Sequence, residues 1–307
     1  MENFNKLFYN FRSLDKKIFE SFQNFLSGIL EKTEDMKDIL TLEPFLQIIS
    51  YFPTKNKREI SQSIAKTFLS RDEKITDPVI VHIMLSLMKN MKGMQIKDLV
   101  LDFSSKVDFA TDFEQNLNFL AEMRATFGYL PEVTISLIYK AVNLTFLARK
   151  QSKGRMTRKL VSFLQATLAY CYITVPVIED PQMKLKLYLY LSEIALANNL
   201  ISQATALIKT CITQLSETES DSDIATYNIF HRIISFMIVM PDDPESDYLF
   251  LFNGLYQAFS ISKFKSNLEH ILRLQFYTNC AVYISSQAQE RLPFHIEGVT
   301  SNDGLFK

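Results

Sequence analysis

The sequence predicts an all-α protein made of amphipathic helices. Apolar residues recur at three- and four-residue spacing along nearly the whole chain, which is the periodicity of an α-helix. Glycine and proline are scarce, with 7 and 9 in 307 residues, although the tight turns of many-stranded folds consume glycine. The connections are short, so neighbouring helices are expected to pair as antiparallel hairpins of about 40 residues, which is typical of a HEAT-like α-solenoid.

The most apolar stretch runs from Arg158 to Pro176 and carries no charge between Leu160 and Ile178. Wound as a helix, it forms one apolar row, comprising Leu160, Leu164, Leu168 and Tyr172. It also forms a row of small side chains, comprising Ser162, Ala166 and Ala169. We expect burial on most sides, with a neighbouring helix close to the small row. Its polar residues favour a core helix over a membrane span, which needs about 20 apolar residues.

Capping signals place the other helices. Asp77-Pro78 and Asp180-Pro181 each combine a capping aspartate with a proline at the first helical position. Thr111 with Glu114 resembles a capping box, and Gly93 and Gly128 are expected helix ends. The segment from Leu185 to Leu191 alternates like a strand, but its length with its flanks favours a helix.

These signals predict a single α-solenoid over residues 1–284 and an irregular tail over 285–307. In the helix that follows Thr111, the predicted buried row comprises Phe113, Leu117, Leu120 and Phe127. The other predicted helices cover 4–29, 35–51, a segment with Ile60, Ile64 and Phe68 on one side, 78–93, 131–150, 201–215, 224–240, 248–261 and 268–284.

Charge and cysteine content limit the class of protein. Lys and Arg number 33 against 34 Asp and Glu, so the net charge of −1 gives no general attraction to nucleic acid or to an anionic membrane. Cys171, Cys211 and Cys280 are far apart and are expected to be buried thiols in a reducing compartment. The N-terminal 20 residues carry charges where a signal peptide needs an apolar core, so we expect a cytosolic protein.

An acidic cluster allows one catalytic hypothesis. Asp242, Asp243 and Asp247 lie in MPDDPESD, and carboxylates in an all-α protein can hold Mg²⁺ and a diphosphate, as in isoprenoid synthases. The flanking prolines and the absence of a second such motif favour a loop that caps the next helix. The four histidines are isolated, and no HExxH, CxxC or glycine-rich phosphate loop occurs, so we expect no metal, cofactor or catalytic residue.

Other segments suggest surfaces. Arg149 to Lys159 holds six basic residues and no acid, which is compatible with a phosphoinositide or nucleic-acid patch but favours a solvated loop, since aromatic residues are not interleaved. Tyr170 and Tyr172 suit an interface, although core packing is favoured for both. Ser301 to Asp303 is typical of a capping turn.

Several segments carry a more specific resemblance. They are Thr111–Asn143, Arg158–Pro176 with its continuation to Ile212, Ile238–Leu255 and Thr300–Lys307. They resemble the large subunit of retriever, vacuolar protein sorting thirty-five-like, a paralogue of the retromer scaffold. The resemblance implies a HEAT-like scaffold that holds endosomal recycling machinery together and serves integral membrane cargo. An unrelated helical-repeat scaffold, of the adaptin or transport-receptor type, remains an alternative.

The resemblance also implies partners. The C-terminal part of the family's subunit embraces a small metallophosphoesterase-fold protein, and the complex joins the coiled-coil subunits of Commander. An arrestin-like subunit is bound by the family's N-terminal half, most of which this sequence lacks. A cytoplasmic protein, peripheral on endosomes, is therefore expected. The candidate partner-binding residues are Arg158, Lys159, Tyr170, Tyr172, Asp242, Asp243, Asn302 and Asp303.

Overall fold

The computed structural model describes residues 21, 24, 25, 28, 36–50, 52–71, 73–91, 95–217, 223–241, 249–262 and 269–288. Within these ranges the backbone is helical, and the only strand-type pairing is an isolated bridge between Ile75 and Val107. The all-α class is therefore confirmed. The chain divides into two compact units, Met1–Leu137 and Ile138–Lys307. The predicted helix over 4–29 lies outside the described residues, apart from four isolated positions, and the single solenoid over 1–284 stays a prediction.

The first unit contains six described helices and the start of a seventh. They are α1 (Met36–Thr41), α2 (Glu43–Ser50), α3 (Thr54–Leu69), α4 (Pro78–Lys89), α5 (Lys97–Lys106), α6 (Phe113–Phe127) and α7 (Pro131–Gln151). The predicted cap of α4 is confirmed, because the Asp77 side chain accepts a hydrogen bond from the Val79 amide at 2.8 Å. In the core of this unit, α4 packs on α1 and α3, and α5 packs on α3.

Three boundaries in the first unit differ from the prediction, and one helix was not predicted. The helix predicted over 35–51 is divided at Leu42, because Pro44 has no amide to continue the hydrogen bonds of α1. Helix α4 ends at Lys89, ahead of Gly93, and α5 was not predicted. Helix α6 is capped by Asp112, whose side chain accepts from the Gln115 amide at 3.0 Å, and not by Thr111.

The buried face of α6 is rotated relative to the predicted row. Phe113 and Leu117 are only half-buried. The buried positions are Asn116, Phe119, Leu120, Met123 and Phe127. Phe119 packs edge-on against Phe103 of α5, with ring centroids 5.8 Å apart. The contact with α5 therefore decides which side of α6 is buried.

The second unit contains the rest of α7 and six further α-helices among its described residues. They are α8 (Arg158–Thr174), which runs into a 3₁₀ turn at Val175–Val177, α9 (Pro181–Ala197), α10 (Ile201–Glu217), α11 (Asp223–Val239), α12 (Phe250–Ile261) and α13 (Glu269–Ala288). Asp180 caps α9 as predicted, accepting from the Gln182 amide at 2.9 Å, and the strand-like segment within α9 is helical. Helix α13 extends four residues past its predicted end at 284.

The helices of the second unit form two layers. Helix α9 packs on α11, and α11 packs on α13. In the other layer, α8 packs on α10, and α10 packs on α12. Helices α9 and α10 form a closely packed pair that joins the two layers. This alternation of consecutive helices between two layers is the arrangement expected of stacked helix hairpins.

Aromatic side chains of α11, α12 and α13 pack together and connect the two layers. Phe259 of α12 stacks on Phe276 of α13 with ring centroids 3.6 Å apart, and Phe230 of α11 meets both rings edge-on. All three are fully or almost fully buried. Large aromatic rings in this geometry contribute strongly to the stability of a core.

Candidate partner-binding surface

Helix α8 has one buried side and one exposed side. Its buried side includes Leu160, Leu164 and Leu168 of the predicted apolar row, whereas Tyr172 at the end of that row is 40% exposed. The small residues Ser162, Ala166 and Ala169 are all exposed, and Ile173 beside them is 53% exposed. The expectations that α8 is buried on most sides and that a helix packs on its small row are therefore both wrong.

Local hydrogen bonds explain how α8 tolerates its buried polar residues. The Thr157 hydroxyl caps the helix by accepting from the Leu160 amide at 3.2 Å. Within the helix, the Thr167 hydroxyl donates to the Phe163 carbonyl at 2.8 Å, and the Thr174 hydroxyl donates to the Tyr170 carbonyl. Since these hydroxyls are satisfied within the helix, the buried side needs no polar neighbour.

The exposed side of α8 continues onto α10 and α12. The Tyr172 hydroxyl lies 3.3 Å from the Thr210 hydroxyl of α10. Toward α12, the ammonium group of Lys209 in α10 lies 4.9 Å from the ring centre of Phe250. We call this surface the α8–α10–α12 face. Its exposed residues are Ser162, Gln165, Ala166, Ala169, Tyr172, Ile173, Ala206, Lys209, Thr213, Phe250, Asn253 and Gln257.

The middle of the α8–α10–α12 face carries little charge, since Lys209 is the one charged residue among those just named. Exposed Arg158 and Glu217 lie at the ends of α8 and α10. The opposite layer differs, because Glu193 of α9 and Arg232 of α11 form an ion pair there at 2.6 Å, and Lys186 of α9 is also exposed. Charged residues are depleted and aromatic residues enriched at the centres of protein–protein interfaces. The composition of the face therefore fits a docking surface for another protein.

The predicted partner-binding residues fall in different places. Core packing, which was favoured for both tyrosines, is confirmed for Tyr170, which is 6% exposed. It is wrong for Tyr172, which lies exposed on the α8–α10–α12 face. Arg158 and Lys159 are exposed in the first turn of α8. The remaining four, Asp242, Asp243, Asn302 and Asp303, lie outside the described residues, so their roles stay predictions.

Sequence reasoning missed most of the face. Ile173, Lys209 and Phe250 were not predicted to bind anything, although all three are exposed there. The row of Ser162, Ala166 and Ala169 was the available signal, because small residues allow close approach. We predicted that a helix of the same chain packs on this row, whereas the structure leaves the row exposed and accessible to another molecule.

The acidic, histidine and cysteine side chains bear on metal binding and on thiol reactivity. No three His, Cys, Asp or Glu side chains in that part lie close enough together to hold a metal ion. Cys171 and Cys211 are buried, and burial raises the pKa of each thiol to about 12. Both thiols are therefore protonated at neutral pH and poor nucleophiles.

One described segment, Arg158–Val177, is long and apolar enough to cross a membrane by length and composition. Its most apolar window is 44% buried inside the structure. A buried core helix meets the same criterion, and α8 has the packed side of such a helix.

The two layers of paired helices define a helical-repeat protein. Comparison with protein families agrees. The family described as the VPS35L C-terminal domain matches residues 12–307, and the chain belongs to this family.

Curated relatives carry the same family name. The chain is 30% identical over 313 residues to "VPS35 endosomal protein sorting factor-like" of Dictyostelium discoideum, a match that covers 94% of this chain and 32% of that protein. It is 29% identical over 306 residues to "VPS35 endosomal protein-sorting factor-like" of Homo sapiens, covering 92% and 32%. The Drosophila melanogaster relative is 28% identical over 314 residues, covering 95% and 32%. The chain thus spans about a third of the length of these relatives.

Proposed function

We propose that this chain is a non-catalytic scaffold subunit of an endosomal retriever-type complex that recycles integral membrane cargo to the cell surface. Its α8–α10–α12 face binds a small protein with a metallophosphoesterase fold. Family membership supports the scaffold role, because the relatives are named as endosomal protein sorting factors. The partner is taken from the resemblance of Arg158–Ile212 to the retriever subunit.

The observation that carries the proposal is an exposed, nearly uncharged face shared by three packed helices. Helices α8 and α10 have 17 residues each, so each is roughly 25 Å long at 1.5 Å per residue. Three helices spaced about 9 Å apart span roughly 25 Å across, giving roughly 600 Å² of surface. A stable interface buries about 800 Å² on each partner, so the face would supply most of one.

Assembly into the larger Commander complex through its coiled-coil subunits follows from the same proposal, as does a cytoplasmic location that is peripheral on endosomes. The same resemblance implies contact with an arrestin-like subunit, and we assign that contact to the N-terminal part of the family. None of these roles needs a cofactor or a catalytic group.

A matched pair of variants tests the partner-binding role. Ala169→Arg places a long cation in the middle of the α8–α10–α12 face, and Ala281→Arg makes the same change at an exposed position within α13. Arginine is a good helix former, so both variants are expected to fold. Each is tagged and incubated with the purified metallophosphoesterase-fold subunit, and the captured fraction is measured.

The unmodified chain and Ala281→Arg should capture the partner, whereas Ala169→Arg should lose it, since a buried, unpaired cation opposes complex formation. Equal capture by the two variants would show that the partner binds elsewhere. If the unmodified chain captures nothing, the proposed partner is wrong.

A further inference from the structure

The turn between α7 and α8 is held by a defined set of hydrogen bonds. The Gly154 amide donates to the Arg149 carbonyl at 3.2 Å, and the Lys153 amide donates to the Lys150 carbonyl at 3.1 Å. Lys153 and Gly154 both have positive φ, at 52° and 76°. This is the Schellman arrangement at a helix end, so the turn presents its side chains from a fixed backbone.

Exposed cations surround this turn. Lys150, Lys153, Arg155 and Arg158 are all exposed and form no ion pair with any described residue. The adjacent turn between α9 and α10 is uncharged, and the Arg149 guanidinium ties it to α7 by donating to the Ala197 carbonyl. The positive end of the α8 dipole lies at the same place, which adds to the positive potential.

Apolar side chains lie beside these cations. Phe146 and Leu147 precede Lys150 by four and three residues, so they share its side of α7, and they are 48% and 44% exposed. Met156, within the turn, is 38% exposed. The basic run has no aromatic residue of its own, and Phe146 at the end of the preceding helix supplies one beside it.

We propose that this tip, comprising Phe146, Leu147, Lys150, Lys153, Arg155, Met156 and Arg158, docks on an anionic lipid bilayer. The cations attract the lipid headgroups, and the apolar side chains enter the boundary between headgroups and acyl chains. The inference rests on the proposed peripheral membrane association and goes beyond it by naming the contact surface. A soluble acidic protein fits less well, because carboxylates would pair with the cations and leave the three apolar side chains in water.

Vesicle binding of the chain, without any partner, tests this inference. The probes are vesicles of phosphatidylcholine alone and of phosphatidylcholine with phosphatidylserine, and bound protein is measured by co-sedimentation. The test variant is Lys153→Gln with Arg155→Gln. The matched control is Lys184→Gln with Lys186→Gln, which removes the same charge from α9 in the same unit. Poly-glutamate is the soluble acidic competitor.

The chain should bind the anionic vesicles and not the neutral ones. The tip variant should lose roughly 25-fold in partition coefficient, at about fivefold for each cation removed, while the control keeps its binding. Equal losses in both variants, binding to neutral vesicles, or no vesicle binding would each overturn the proposal. Capture by poly-glutamate without vesicle binding would assign the tip to an acidic protein instead. Because no partner is present, none of these failures affects the partner-capture result.

Discussion

The two sides of α8 should respond in opposite ways to substitution. Leu168 is 2% exposed and faces the core, while Ala166, two residues earlier, is exposed. Leu168→Ala removes three carbon atoms from the core, and Ala166→Phe adds a ring that points to solvent. Packing of a helix against the small row would instead make Ala166→Phe cost about 1–3 kcal/mol, through overpacking.

The size of the effect at Leu168 follows from its burial. Three buried carbon atoms at about 0.8 kcal/mol each give about 2.4 kcal/mol, and the cavity raises the expected loss to about 2.5–4 kcal/mol. In a unit of the size of Ile138–Lys307, this lowers the melting temperature by roughly 5 to 15 °C. Ala166→Phe should stay within about 0.5 kcal/mol of the unmodified chain, because surface changes rarely exceed this.

Thermal unfolding followed by far-ultraviolet circular dichroism measures both variants. A loss of stability in Ala166→Phe as large as that in Leu168→Ala would show that both sides of α8 are packed. In that case the α8–α10–α12 face would not be an open surface, and the reasoning about partner binding would fail with it.

Three further predictions concern the core and the caps. Asp180→Ala should cost about 1 kcal/mol in unfolding free energy, because the Gln182 amide loses its acceptor, and Asp180→Asn should restore most of it in a denaturant titration. Phe276→Ala should cost about 3–5 kcal/mol by the same titration, since the ring stacks on Phe259 and is 1% exposed; a smaller loss would mean that the cluster refills the cavity. Because burial raises the pKa of Cys171 and Cys211 to about 12, the thiolate fraction of each is very small at about pH 8. Iodoacetamide should label neither in the folded chain and both after denaturation, as measured by peptide mass spectrometry; labelling of the folded chain would contradict their burial.

Helix starts were predicted well where the cap is formed by neighbouring residues in the sequence. The caps at Asp77 and Asp180 depend only on an aspartate followed by proline, and both are confirmed by their hydrogen bonds. The break at Leu42 also has a local cause in Pro44, but the apolar periodicity across it concealed the interruption. Helix α5 is short and was missed for that reason.

Which face of a helix is buried depends on the helices packed against it, and this was predicted less well. The rotated face of α6 is set by the contact of Phe119 with Phe103, which lies on the preceding helix α5 and not within α6. The small row on α8 was recognised, but composition alone does not show whether a helix of the same chain covers it. Predicting that Ala169 is exposed requires knowledge of how the two layers of helices are arranged.

Hydrogen–deuterium exchange of the chain, with and without the metallophosphoesterase-fold partner, shows which helices the partner covers. Binding should slow exchange in peptides from α8, α10 and α12, because the partner covers the face that these helices share. Peptides from α9 and α11 should be unchanged. Protection confined to α9 and α11, or no protection under conditions where the complex forms, would contradict the claim that this face binds the partner.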